Sequence, residues 1–221
     1  MSTLLSRILA SIALAAFLLA STGCQIGQLV GGMVENSRRQ GEHIVAPKYK
    51  GLTGKSFAVI VAADRSIQSD FPSIIPVVTL EMTSRLSKFS GASGVLPASE
   101  VLKYQSQHPG WIAKPLSELA TDLAVDRVVY IDLQDFSLTD PGNPYIYNGV
   151  AAGTALIVEV ESPTPSEFAF GEAVRVKFPD TSGVSPTQMP RNNVLSELAR
   201  RFIERSAWAF YEHEEPNVIK Y

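Results

Sequence analysis

Residues 57–63 constrain the fold most: seven consecutive apolar residues, from Phe57 to Ala63, ending at Asp64. A run of that length without polar alternation is the pattern of a central strand buried on both faces. A helical period follows, with Val78, Met82, Leu86 and Phe89 on one face and Glu81, Arg85 and Lys88 elsewhere. Pro72 or Pro76 suits its first turn and Gly91 its stop. Val95 and Leu96 form a short apolar piece, and a second helix starts near Ser99 and is ended by His108-Pro109-Gly110. Pro115 opens a third helix with the stripe Leu116, Leu119, Ala120 and Leu123. Residues 128–138 are rich in β-branched and aromatic side chains and read as a strand, closed by the turn signal Asp140-Pro141-Gly142-Asn143-Pro144. Strands alternating with helices in this way predict parallel pairing with right-handed crossovers.

The chain then changes character. Two alternating segments are separated only by Ser162-Pro163-Thr164-Pro165-Ser166, which predicts an antiparallel hairpin. Its even positions Thr154, Leu156, Val158 and Val160 lie opposite Phe168, Phe170, Val174 and Val176, and that register puts the apolar set on the core side. The odd positions Glu159, Glu161, Arg175 and Lys177 are then solvated, which argues for a solvated hairpin and against a lipid-facing barrel strand. After a loop over residues 179–190, Asn192 or Asn193 caps a final helix with the stripe Val194, Leu198, Phe202, Arg205 and Ala209. The expected class is α/β: a single three-layer or two-layer domain. It has a mixed sheet of about five strands, parallel in its first part and ending in an antiparallel hairpin, with about four helices. It occupies residues 51–212, and residues 213–221 form a charged tail.

The amino terminus reads differently again. Arg7 precedes an apolar stretch over residues 8–20, broken only by Ser11, and then small residues reach Cys24. This is the three-part order of a secretory signal peptide, and 13 residues fall short of the roughly 20 that a bilayer-spanning helix needs. The segment Leu19-Ala20-Ser21-Thr22-Gly23-Cys24 resembles a bacterial lipobox, with Ser21 where that pattern prefers an aliphatic residue. The resemblance implies cleavage after residue 23 and acylation of Cys24, and two or more acyl chains anchor a protein stably where one does not. Residues 24–50, rich in Gly and Gln, then form a lipidated tether. Cys24 is the only cysteine, so no internal disulfide supports the fold. From Cys24 onward there are 18 basic and 22 acidic residues, a balance that carries no nucleic-acid footprint.

Motifs for chemistry are scarce. Gly51-Leu52-Thr53-Gly54-Lys55-Ser56 lacks the first glycine of a phosphate loop, because that position is Tyr49, and a strand follows it where a helix should. His43, His108 and His213 stand far apart without partners at metal-ligand spacing and read as solvated loop or tail residues. Gly91-Ala92-Ser93-Gly94 has the wrong spacing for a nucleophile elbow. Asp132 and Asp135, three apart on a regular strand, point to opposite faces. Two residues stand out for interaction. Asp64 ends the first strand at the edge where open α/β sheets bind ligands. Trp111 sits between Gly110 and Ile112 in a loop, as an anchor or as a lid over the core. No cofactor and no metal are expected.

The order of elements, together with the phrase Leu96-Pro97-Ala98-Ser99-Glu100-Val101-Leu102 and the helix-to-strand junction Ala124-Val125-Asp126, resembles a known group. It is similar to the α/β domain shared by the curli-secretion lipoprotein, the lipoprotein activators of penicillin-binding proteins and the amino-terminal domain of TolB. Residues 51–59 also look like the start of a group of bacterial lipoproteins. The resemblance implies an exported, lipid-anchored protein facing the periplasm that binds or assembles with an envelope partner or with itself, and is not an enzyme. Gln25 after Cys24, in place of an Asp, leans toward the outer membrane. The alternative class is an envelope hydrolase or transferase with a dispersed site near Asp64.

Overall fold

The computed structural model describes residues 41–164, 167–180 and 183–217; Cys24 and the leader before it lie outside these residues. In chain order the elements are β1 (Glu42–Val45), β2 (Ser56–Ala63), α1 (Arg65–Asp70), α2 (Ile74–Phe89), β3 (Gly94–Val95), α3 (Ala98–Gln107), α4 (Leu116–Asp122), β4 (Arg127–Thr139), β5 (Tyr147–Glu159), β6 (Phe170–Phe178), α5 (Arg191–Ala207) and β7 (His213–Pro216). The larger unit runs over residues 45–213 and holds a five-stranded sheet of order β3-β2-β4-β5-β6. β2 pairs in parallel with β3 and β4, whereas β4, β5 and β6 pair antiparallel, so the fold is α/β with a mixed sheet.

β2 is central in the way its composition requires. Phe57, Val59 and Val61 pack on one face against Val78, Met82 and Leu86 of α2 and against Phe202 of α5. Ala58, Ile60 and Ala62 pack on the other against Val101 of α3, Leu119 and Ala120 of α4, and Trp111. Each fully buried aliphatic side chain contributes about 1.5–3 kcal/mol, so a strand buried on both faces anchors the core. Helix α2 ends where Gly91 takes φ 71, a left-handed conformation that glycine adopts without steric cost. Phe89 departs from the expected stripe: its side chain is exposed and lies beside the ring of Tyr211. Short α1 shows no sequence period because only Ile67 of its six residues is buried.

The hairpin register differs from the expectation by one residue. Ile157 pairs with Phe170, Gly153 with Val174 and Ala151 with Val176, so odd positions of β5 lie opposite even positions of β6. The core side of β5 is therefore Ala151, Ala155 and Ile157, while Thr154 and Leu156 stay half-buried on the other face. The reason is the close approach of α5. A Cβ on Gly153 would be driven into the Asp132 carbonyl and the ring of Phe202, so the covered face of β5 selects small residues rather than the largest apolar ones. On β6 the expected core residues Val174 and Val176 are buried, and Arg175 and Lys177 are exposed.

A second shift occurs in β4, between Leu133 and Asp135. This bulge keeps Phe136 and Leu138 on the core face that Ile131 and Leu133 occupy before it. It also overturns the expectation for the two acids. Asp132 pairs with Thr154 and Asp135 with Ala152, so both carboxylates lie on the same face of the sheet.

Of the described residues, the smaller unit comprises 41–44 and 214–217. In it the Asn217 backbone N–H donates to the Gly41 carbonyl at 2.9 Å, and His43 Nδ1 lies 2.9 Å from Asn217 Oδ1. β1 and β7 pair as a two-stranded sheet in segments that read as tether and tail, because neither Glu42-His43-Ile44-Val45 nor His213-Glu214-Glu215-Pro216 alternates apolar with polar residues. Among the described residues no helix is long and apolar enough to cross a membrane.

Candidate functional site

Strand β3 accompanies β2 only at Ser56 and Phe57, and beyond that point no strand of the described residues lies beside this edge of β2. The Leu96 N–H donates to the Phe57 carbonyl, which turns the odd carbonyls of β2 toward this edge because carbonyls alternate sides along a strand. Unpaired backbone in a buried setting must find other partners. Two glutamine amides supply them: Gln105 Nε2 of α3 donates to the Val61 carbonyl at 2.9 Å, and Gln68 Nε2 of α1 donates to the Ala63 carbonyl at 2.7 Å. Gln105 Oε1 is shielded from solvent and accepts no hydrogen bond from the described residues.

Around this capped edge opens a cleft of about 630 Å³. Its floor is the end of β2, Val61 to Ala63. One wall is Pro72, Ile75 and Pro76 at the start of α2; the other is Leu102, Gln105 and Ser106 at the end of α3. Pro109, Trp111 and Ile112 close one side, and Asp64, Arg65 and Gln68 stand at the other. The structure thus brings Asp64 and Trp111, the two residues that sequence reasoning singled out, to one cavity.

Their roles differ. Asp64 occupies the N-cap position of α1, yet its carboxylate makes no capping hydrogen bond and the residue is exposed. Trp111 is 9% exposed, packs with Ala62 and Leu119, and has its ring 6.0 Å from that of Tyr130. It is a lid over the second core that also presents a surface to the cleft. Ile112 beside it is 60% exposed, an apolar rim. Among the described residues the only lining hydroxyl, on Ser106, donates to the Lys103 carbonyl at 2.7 Å, and no imidazole or thiol lines the cavity. This arrangement can hold a ligand with an apolar body and a polar or charged end; a nucleophile with an adjacent base is not assembled in it.

The opposite end of β2 is built from ions that sequence reasoning missed. Arg127, at the start of β4, is buried and makes a bidentate pair with Glu161 at 2.5 and 2.7 Å, while its Nε donates to the Tyr49 hydroxyl at 3.1 Å. Tyr49 in turn donates to Glu159 at 2.5 Å, and Lys55 pairs with Glu161 at 2.8 Å. The Arg127 guanidinium holds the Glu161 carboxyl far below the usual carboxylate range, and burial followed by the Glu159 hydrogen bond pushes the Tyr49 hydroxyl up. Asp126 accepts from the Ser56 N–H at 2.8 Å and the Ser56 hydroxyl at 2.7 Å, which lowers its pKa and ties the first residues of β2 and β4 together. The only signal for this cluster was a charged pair, Asp126-Arg127, immediately before an apolar strand.

The remaining candidates are dispersed. Gly51-Leu52-Thr53-Gly54 is a turn feeding β2, as its sequence context indicated, with Lys55 committed to Glu161. His108 is exposed and stacks on Tyr104 at 4.6 Å, whereas His213 is not the free tail residue expected: it stacks on Trp208 at 4.5 Å. Among the described residues no group of three or more His, Cys, Asp or Glu is placed to hold a metal ion.

No family model matches the chain, and no curated protein matches it. Solved structures similar to it include lipoprotein GNA1162 from Neisseria meningitidis, 14% identical over 69% of this chain and 97% of that one, with a TM-score of 0.45. The PelC dodecamer from Paraburkholderia phytofirmans is 12% identical over 77% of this chain and 97% of its own, also at 0.45. The hypothetical protein CT253 from Chlamydia trachomatis is 14% identical over 70% and 98%, at 0.36. Likenesses at this level assign the chain to no family.

Proposed function

We propose that this chain is an exported cell-envelope protein, anchored through acyl chains on Cys24 and facing the periplasm from the outer membrane. Its α/β domain is a non-catalytic binding module whose partner seats in the cleft at the carboxyl end of β2. The observation that carries the reading is the cleft itself: Asp64 and Trp111 meet there with proline and aliphatic walls, and its one hydroxyl is spent on a helix carbonyl. The lipobox-like segment ending at Cys24 supplies the anchor, and the resemblance of the element order to the curli-secretion lipoprotein group supports a role in assembly rather than turnover. A hydrolase or transferase reading would need Asp64 to act on a bound substrate without a second titratable group in the cavity other than Arg65.

The test uses the full chain in membranes of its host. Intact mass of the membrane-fraction protein should show a diacylglyceryl-bearing chain beginning at Cys24, and Cys24→Ala should abolish it. A photocrosslinking residue in place of Ile112 should capture one partner, and Asp64→Ala or Trp111→Ala should lose that adduct. An unmodified mature chain rejects the anchor. Substrate turnover abolished by Asp64→Ala rejects the non-catalytic reading.

A further inference from the structure

The helices cover the sheet unequally. On the face that carries Tyr130 and Asp132, α3, α4 and Trp111 pack over β2, the first residues of β4 and the last residues of β5. Farther along β4, β5 and β6, no helix of the described residues covers this face. There the register aligns three rows across the sheet: Asp132, Thr154, Ala173; then Asp135, Ala152, Arg175; then Ser137, Val150, Lys177. All the β5 and β4 members of these rows are only half-buried, and Ala173, Arg175 and Lys177 are exposed. Asp135, Arg175 and Lys177 make no ion pair among the described residues. The face is therefore acidic along β4, small and weakly polar along β5, and basic along the edge strand β6.

From this pattern we infer that the open face is a docking surface for a second copy of the chain, packed sheet to sheet about a two-fold axis parallel to β5. Rotation about that axis carries the β4 flank of one copy over the β6 flank of the other without displacement along the strands. The partner's Asp135 then stands over Arg175, and the partner's Asp132 and Asp135 both face the basic edge. A two-fold axis across the strands would instead set acid over acid and base over base, at a cost. The short side chains of Val150, Ala152 and Thr154 let two sheets approach to about 10 Å, the separation of packed sheets, which an arginine and an aspartate bridge between them. Within one copy Asp135 and Arg175 are two strand spacings apart, about 10 Å, so they do not satisfy each other. The patch, three strands wide, is about 14 by 25 Å, smaller than the roughly 800 Å² per partner of a tight interface. The dimer is consequently weak and sensitive to salt.

The experiment is sedimentation equilibrium of the full chain in density-matched detergent, over a concentration series at low and high salt. Asp135→Arg and Arg175→Asp should each weaken self-association about tenfold, through the like-charge contacts they create, and the double variant should return it to near the wild-type value. Circular dichroism should show all three folded, because both positions lie on the open face. A merely structural effect of either substitution would not be rescued by the other, so singles that weaken association without rescue overturn the inference. So does a wild-type chain that stays monomeric at several hundred micromolar, or a dimer indifferent to both charges. A chain that dimerises only after deletion of residues 25–40 would show its own segment to be the occupant and overturn it equally.

Discussion

At its amino end β2 is stapled by Asp126 to Ser56 and enclosed by Arg127, Glu161, Glu159 and Tyr49, each of which has a partner within hydrogen-bonding distance. At its carboxyl end the same strand meets two glutamines that cap bare carbonyls, an uncapped Asp64 and a cavity. The amino end is saturated, and a saturated network has nothing left to offer a ligand. The carboxyl end keeps unused capacity next to apolar walls. The difference separates residues whose loss should unfold the protein from residues whose loss should leave it folded and unable to bind.

The largest effect is expected for Arg127→Met. It takes from Glu159 and the Tyr49 hydroxyl the cation they share and leaves half-exposed Glu161 with Lys55 alone, at a cost of about 2 kcal/mol in denaturant unfolding. A cost below about 1 kcal/mol would mean that solvent already screens the cluster, and the contrast between the ends would collapse. Acid provides the second test. Glu161 and Asp126 have folded pKa values below their unfolded ones, so their contribution is complete above about pH 5 and fades as pH falls toward 2. Thermal unfolding across that window should show Tm falling with pH, and Arg127→Met should flatten the slope.

How far the sequence led to this contrast varies by element. β2, α2, α3 and α4 follow from apolar runs and helical periods, because helices packed on both of its faces bury β2 completely. The β5 register does not follow, since the covered face of β5 uses Gly153, Ala151 and Ala155 to admit α5, and smallness leaves no hydrophobic signature. The β4 bulge is equally silent in the sequence, and it moved Asp135 to the face of Asp132. Asp64 and Trp111 were readable because each has a positional meaning, at a strand end and in a loop. Arg127 and Tyr49 were not, because their significance lies in partners 34 and 110 residues away.

Two smaller changes sharpen the comparison. Gln105→Leu removes the donor to the Val61 carbonyl and also the unpartnered Oε1, so the loss and the relief offset and the net cost is about 1 kcal/mol. Ala124, just before the Asp126 staple, takes φ 53 at the end of α4, a conformation that favours glycine. Ala124→Gly should stabilise the fold, by about 1 kcal/mol less the extra freedom glycine gives the unfolded chain. An increase in the denaturation midpoint at unchanged slope would establish it; a decrease would mean that the unfolded-chain term dominates.

The smallest stability effect belongs to Asp64→Asn, and it is the most informative. The side chain caps no helix and is exposed, so its neutralisation should change unfolding free energy by less than about 0.5 kcal/mol. If the cleft is the binding site, capture of a partner from Ile112 should fall several-fold in the same variant, because a charge at the mouth of an apolar cavity selects and orients what enters. Loss of stability comparable to that of Arg127→Met would reveal an unrecognised structural role for Asp64. Unchanged capture together with unchanged stability would strip Asp64 of any role and leave Trp111 and Ile112 as the contacts that matter.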